Sequence, residues 1–178
     1  MDLFEARKLD NELILESQIM HARMLLASDA VSKRIRGAKK ILSYLSDFDA
    51  HKARFPELLS SALSAYGAYV LATESTSISA QHAWLPFNLS DPPRLCGEKL
   101  FLLALEVSPA NADAQLRLAV SLSERLADCP VEERESWASQ AELNYQTALV
   151  KDPANVMAIY RYALFLEQHM NDLNQVCP

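Results

Sequence analysis

The chain has 178 residues, half of them apolar, and a net charge of −6. This length and composition fit one domain, or one domain with an appended helical pair, that can bury a core of its own. Residues 94–178 carry seven basic and twelve acidic side chains, a balance that does not favour nucleic acid as a ligand of the C-terminal half.

The cysteines and the N-terminus favour the cytoplasm. Cys96, Cys129 and Cys177 are far apart and form no C-x-x-C pair, as expected of reduced thiols. Residues 1–5 lack the basic start and apolar stretch of a signal peptide, and no apolar run is long enough to span a membrane. We expect a cytoplasmic protein whose only contact with a membrane would be peripheral.

The sequence contains no catalytic, cofactor-binding or metal-binding constellation. Its four histidines are isolated, without the spacing that a metal site needs. Three scattered glycines cannot expose the successive backbone amides of a phosphate-binding loop. The sequence thus predicts a protein that is not an enzyme and takes no cofactor.

Residues 1–50 are predicted to form a helical hairpin that packs on the rest of the chain. The first helix is predicted over residues 2–28 and the second over residues 29–47, with a boundary at Asp47-Phe48-Asp49. The core-facing stripe predicted for the first helix includes Leu13, Met20 and Met24.

The second predicted helix contains the strongest cluster of like charge. Its basic residues are Lys33, Arg34, Arg36, Lys39 and Lys40. In one interpretation they form the polar side of an amphipathic helix whose other side holds Ile35, Ala38 and Leu42. In the other they attach the protein to anionic lipid headgroups or to nucleic acid. Only the second interpretation predicts binding that weakens steeply with salt.

Pro56 is predicted to open the next helix. After it, residues 73–93 are rich in Ser, Thr and Pro, which predicts a long loop. Because this loop contains Trp84 and Phe87, we expect it to pack back onto the body. A shorter insertion is predicted at residues 127–135.

One pattern of small and bulky residues occurs twice, 44 residues apart. The two copies of this second-helix motif are Gly97-x-x-x-Phe101-x-x-Ala104-x-x-x-x-Pro109 and Ala141-x-x-x-Tyr145-x-x-Ala148-x-x-x-x-Pro153. Their spacing places the small and aromatic residues on one helical stripe, which the proline ends. Asn111 and Asn155, two residues after each proline, favour a turn and a helix cap.

Another motif, which we call the first-helix motif, occurs three times. Its copies are Leu63-x-x-Tyr66-Gly67-x-x-Val70, Gln115-x-x-Leu118-Ala119-x-x-Leu122 and Ile159-x-x-Tyr162-Ala163-x-x-Leu166. Together the two motifs resemble the tetratricopeptide repeat, although no Trp stands in the first-helix motif and both insertions lengthen the repeat. The resemblance implies that residues 51–178 form a short, irregular helix-hairpin solenoid, in an all-α protein that begins with the N-terminal hairpin.

The resemblance also implies a groove that binds a partner. By matched spacing its lining residues are Asp113, Leu116, Val120, Ser123, Met157, Tyr160, Arg161 and Leu164. Family members that clamp acidic chaperone tails use Lys and Asn at these positions, whereas this set is largely apolar. The predicted ligand is therefore an amphipathic helix or an extended peptide. In the alternative, the protein's own N-terminal helix fills the groove.

The function predicted from these features is protein–protein interaction, as an adaptor, scaffold or assembly factor. The last predicted helix, residues 156–170, has no second helix paired with it. Self-association through this helix is a further prediction, and attachment through the basic helix is the alternative function.

Overall fold

The computed structural model describes residues 3–73 and 92–176, with side chains described for residues 13–73 and 92–168. Every regular element within these ranges is an α-helix, which confirms the predicted all-α class. In chain order the helices are α1 (Leu3–Leu26), α2 (Val31–Leu45), α3 (Phe48–Arg54), α4 (Pro56–Thr73), α5 (Pro93–Val107), α6 (Ala112–Arg125), α7 (Val131–Lys151) and α8 (Val156–Val176). Trp84 and Phe87 lie outside the described residues, so the packing of their loop stays a prediction.

The chain divides into two compact units, Met1–Pro109 and Ala110–Pro178. Helices α1 to α5 belong to the first unit and α6 to α8 to the second. The boundary expected near residue 50 falls inside the first unit, because α4 packs against α1, α2 and α3 as well as against α5. The N-terminal hairpin and the α4–α5 hairpin therefore share one unit.

Helix α4 is the centre of the first unit. Ten of its eighteen residues are buried, as expected of a helix that is enclosed by others. Against α5 the backbones approach closely, since a Cβ placed on Gly67 would lie 3.1 Å from the carbonyl oxygen of Gly97. The Ser60 hydroxyl donates to the carbonyl oxygen of Ala104 at 2.6 Å, which satisfies a buried polar group inside this contact.

Helices α1 and α2 cross closely at Gly37. A Cβ on Gly37 would lie 2.8 Å from the carbonyl oxygen of Ala22 and 2.9 Å from the Cβ of Leu25. The side of α1 that faces the core holds Ile19, Ala22 and Leu25. The predicted stripe is wrong, because Leu13, Met20 and Met24 are 56, 50 and 69% exposed. Helix α1 is apolar on two sides. The side that contains the small Ala22 packs against Gly37 of α2.

Helix α3 occupies the position where the sequence indicates only a boundary. Asp49 lies in its first turn and Lys52 in its last, which suits the helix dipole. Tyr44 of α2 stacks on His51 of α3, with ring centroids 3.9 Å apart. A helix of seven residues needs tertiary contacts of this kind for stability, and hydrophobic periodicity does not reveal them.

In the second unit, α6 and α7 form the predicted hairpin, and both asparagines act as helix caps. The side-chain oxygen of Asn111 accepts a hydrogen bond from the backbone amide of Ala114 at 3.0 Å. The side-chain oxygen of Asn155 accepts one from the amide of Ala158 at 3.1 Å. The predicted capping role of the two asparagines is confirmed.

Helix α7 begins at Val131, directly after Pro130, so residues 131–135 of the predicted insertion belong to its first turns. Trp137 on this helix is half-buried. The Arg125 guanidinium lies 4.0 Å from its ring centroid, and its indole Nε1 donates to Glu133 Oε2 at 3.1 Å. Trp137 therefore makes a cation–π contact with Arg125 at the surface and is not packed in the core.

Candidate partner-binding surface

The eight residues predicted to line the groove all lie on α6 and α8, two helices that are in contact within the second unit. Their exposure is uneven. Leu116 is buried, Asp113, Val120, Ser123 and Leu164 are half-buried, and Met157, Tyr160 and Arg161 are exposed. The open part of the predicted site is therefore on α8.

Two of the predicted positions on α6 are engaged within the protein. Leu116 is only 7% exposed and offers almost no surface to a ligand, contrary to the prediction. Asp113 Oδ2 accepts a hydrogen bond from Arg117 Nε at 2.8 Å, one turn later on the same helix. This pair is partly exposed and adds little stability, but it directs the Asp113 carboxylate along α6.

Helix α8 is anchored through one of its faces. Ala158 and Phe165 are 1 and 3% exposed. Tyr162 stacks on Tyr145 of α7, with ring centroids 5.5 Å apart, and its hydroxyl donates to Glu142 Oε1 at 3.0 Å. The Phe165 ring also lies 5.5 Å from that of Tyr145. Positions 158, 162 and 165 lie on one side of a helix, so the opposite side has no such anchor.

The opposite side of α8 is apolar over residues 156–163, and exposed Glu167 follows one turn later. Val156, Met157, Ile159 and Tyr160 are between 50 and 78% exposed, and Ala163 is exposed as well. We call these five residues the α8 open face. Exposed apolar groups clustered in this way are typical of an interaction site.

A cavity of about 330 Å³ lies between α6, α7 and α8. Its lining includes Ser123, Glu124, Arg134, Phe165 and Gln168. Arg134 Nε is buried without a hydrogen-bond partner among the described residues. Sequence reasoning missed Arg134 and Gln168 as site residues, because only the packing of three helices brings them together.

Arg161 and Leu164 of the predicted groove line a second, smaller cavity of about 130 Å³, together with Tyr145. Burial raises the pKa of Tyr145, while its hydrogen bond with Ser123 Oγ, at 3.1 Å, and the charge of Arg161 lower it in part. Tyr145 is buried, so Arg161 is the exposed hydrogen-bonding group among these three residues.

The basic residues of α2 do not act as one group. Lys33, Arg36, Lys39 and Lys40 are exposed, whereas Arg34 is half-buried and its Nε has no hydrogen-bond partner in the described part of the chain. The charge of Arg34 instead acts on Tyr69 of α4: burial raises the pKa of that phenol, and Arg34 lowers it in part. The outward-facing cluster therefore has four cations.

The described residues contain no group of three or more His, Cys, Asp or Glu side chains placed to hold a metal ion. None of the helices described is long and apolar enough to cross a membrane.

The chain matches no protein-family model, no curated protein and no solved structure. The resemblance to tetratricopeptide repeats therefore rests on the spacing of this chain's own residues.

Proposed function

We propose that the chain is a protein-binding module without catalytic chemistry, serving as an adaptor, scaffold or assembly factor. In this proposal its hairpins are tetratricopeptide-like, and the α8 open face binds an amphipathic helix of another protein. One observation carries the proposal. The first-helix motif occurs three times, and only its third copy leaves apolar positions open.

The first two copies of the first-helix motif, on α4 and α6, are covered by neighbouring helices. In α4, Leu63 and Tyr66 are 0 and 1% exposed, and in α6, Leu118 and Ala119 are 6 and 0% exposed. Helix α4 packs most extensively on α5, and α6 on α7, the helices that carry the two second-helix motifs. In both cases the small central residue lets the neighbouring helix come close.

The third copy, on α8, differs. Ile159 is 50% exposed and Ala163 is exposed, while Tyr162 and Leu166 are half-buried. On α8 the Ile and Ala positions of the motif are uncovered. On α4 and α6 the matching positions lie on the surfaces that pack against α5 and α7. A partner helix with a small residue opposite Ala163 and an aromatic residue one turn away would fit this face.

The chemistry of the face also sets the expected energetics. Its members are apolar, and Arg161 is the cation at its edge, so burial of apolar surface would supply most of the binding energy. Binding should then change little with salt. Truncating a central anchor such as Tyr160 to Ala should weaken binding by about 30-fold, which corresponds to ~2 kcal/mol.

The first experiment uses a probe taken from the chain itself. A fluorescent peptide of residues 131–153 carries the second-helix motif, and a scrambled version of it is the control. We expect the full chain to bind the first peptide saturably and the scrambled one not at all. The variant Ile159→Glu should abolish binding, whereas Val150→Glu, at a position 80% exposed on α7, should leave it unchanged.

Equal affinity of the wild-type chain and Ile159→Glu for the peptide would contradict the proposal. Sedimentation of the chain at rising concentration tests whether a second copy of the chain occupies the face. If the chain dimerises and Ile159→Glu makes it monomeric, the face serves self-association instead. Affinity purification from the native cell, compared with Tyr160→Ala, then identifies the partner.

A further inference from the structure

We propose that the outer face of the α1–α2 hairpin docks on membranes that contain anionic lipid. This inference is independent of the α8 open face and would stand if the proposed function failed. It rests on a one-sided set of cations beside an exposed apolar surface.

The cations come from α2. This helix contains five basic residues and no acidic one. Lys33, Arg36, Lys39 and Lys40 fall within about 120° of the helix circumference, on the side away from buried Ile41. None of the four makes an ion pair with a described residue. They present a positive surface on a protein whose overall charge is negative, and its charge complements an anionic headgroup layer.

The apolar part comes from α1. Its solvent side carries Leu13, Met20 and Met24, which are 56, 50 and 69% exposed, flanked by Ile14 at 55%. A helix at a protein surface ordinarily turns polar residues to water. Here the apolar groups face outward, where they are suited to enter the boundary between headgroups and acyl chains.

The two parts border each other. Gly37 of α2 contacts Ala22 and Leu25 of α1, so the helices lie close at that point. Lys33 and Lys40 stand about one turn before and after Gly37. Lys40 lines the same cavity as Gln18 of α1, which places its stem against that helix. Exposed Ile14 stands one turn before Gln18 on the same side of α1, so the apolar surface of α1 reaches the cations through Ile14.

The neighbours of the cations favour lipid over nucleic acid. Single-stranded nucleic acid is held by basic grooves with aromatic rings on which the bases stack. The exposed apolar residues of this face are Leu, Ile and Met, which have no ring. Cations that bind headgroups together with aliphatic groups that enter the acyl boundary are the combination found in peripheral membrane-binding surfaces.

The test is co-sedimentation of the full chain with phosphatidylcholine vesicles, with and without phosphatidylserine. We expect binding only when phosphatidylserine is present, and weaker binding as salt increases. Lys39→Glu with Lys40→Glu should weaken it by about 100-fold. The matched control reverses two exposed charges of the same unit on α3, Lys52→Glu with Arg54→Glu, and should weaken it by less than about five-fold.

The apolar contribution has its own variant, Met20→Ser with Met24→Ser. It should weaken binding to phosphatidylserine vesicles by about ten-fold without changing the net charge. Binding of the wild-type chain that does not depend on phosphatidylserine, or that survives the α2 charge reversal, overturns the proposal. So does tight binding to a single-stranded RNA that the α2 reversal abolishes and the methionine variant leaves unchanged, since that outcome identifies nucleic acid as the ligand.

Discussion

The ring of Phe101 lies directly against Gly67. A Cβ placed on that glycine would come within 2.7 Å of Phe101 Cε1. Both residues are buried, Phe101 at 0% exposure, so a methyl group at position 67 would press on a ring inside the core. The contact joins a first-helix motif to a second-helix motif and sets how closely α4 and α5 approach.

Gly67→Ala should therefore lower the free energy of unfolding. Alanine gains ~1 kcal/mol over glycine in helix propensity, but overpacking a rigid core costs about 1–3 kcal/mol. We expect a net loss of up to about 2 kcal/mol, measured by urea denaturation. Adding Phe101→Leu should restore part of the loss. An increase in stability on Gly67→Ala alone would mean that α4 and α5 are not held together by this contact.

The two capping asparagines should contribute equally, because their hydrogen bonds are alike. Asn111→Ala and Asn155→Ala remove the acceptors for the Ala114 and Ala158 amides. Each change should cost about 1 kcal/mol, and replacement by Asp should restore most of it. Circular dichroism during thermal unfolding is the measurement. If the aspartate variants are as unstable as the alanine variants, capping is not the role of these residues.

Tyr44 should make stability depend on pH in alkaline solution. Its hydroxyl is buried without a hydrogen-bond partner among the described residues, and burial raises its pKa to about 12. An unfolded tyrosine titrates near 10. Above about pH 10 the unfolded chain loses a proton that the folded chain keeps, so the free energy of unfolding falls as pH rises towards 12, by on the order of 2 kcal/mol.

The variant Tyr44→Phe separates this effect from that of other tyrosines. It should flatten the decline between about pH 10 and 12, and below pH 9 it should be stable to within ~1 kcal/mol of the wild type or better, since an unpaired hydroxyl is removed. Tyr160→Phe, at a position 57% exposed, is the control and should leave the profile unchanged. Identical slopes for the wild type and Tyr44→Phe would show that Tyr44 is not buried in solution.

Much of the helical content follows from local signals that act within a few residues. Pro56 opens α4, and Asn111 and Asn155 begin α6 and α8 with side-chain caps. The small and aromatic residues of the motifs predict helical stripes, and Phe101 and Tyr145 are both buried in helices that pack on the preceding one. Spacing suffices here because the physical cause is itself periodic.

The sequence signals fail where two faces of one helix compete. Helix α1 carries apolar residues on two sides, and periodicity alone cannot select the one that packs. In the structure the side with Ala22 and Leu25 packs closely against Gly37 of α2. In the same way, matched spacing places Leu116 in a groove but cannot tell that it is 7% exposed. Both errors concern which neighbouring element packs against a helix. A local sequence pattern carries no information about that element.

The candidate site also predicts how α8 responds to mutation. The Tyr145–Tyr162–Phe165 cluster fastens α8 to α7, and Tyr162 adds hydrogen bonds to Glu142 and Gln146. Tyr162→Ala should cost about 2 kcal/mol, less than for a fully buried ring, because Tyr162 is half-buried. Hydrogen exchange should then speed up selectively in α8, while α6 and α7 stay protected.

Tyr160→Ala is the matched control for this experiment. Tyr160 stands two residues earlier on the same helix but is 57% exposed, on the α8 open face. Its removal should leave the exchange rates of α8 unchanged and weaken peptide binding, because it contributes to the partner surface and not to the attachment of the helix. If Tyr160→Ala instead speeds exchange as much as Tyr162→Ala, the ring of Tyr160 packs within the protein in solution. The α8 open face would then be smaller than its exposure indicates.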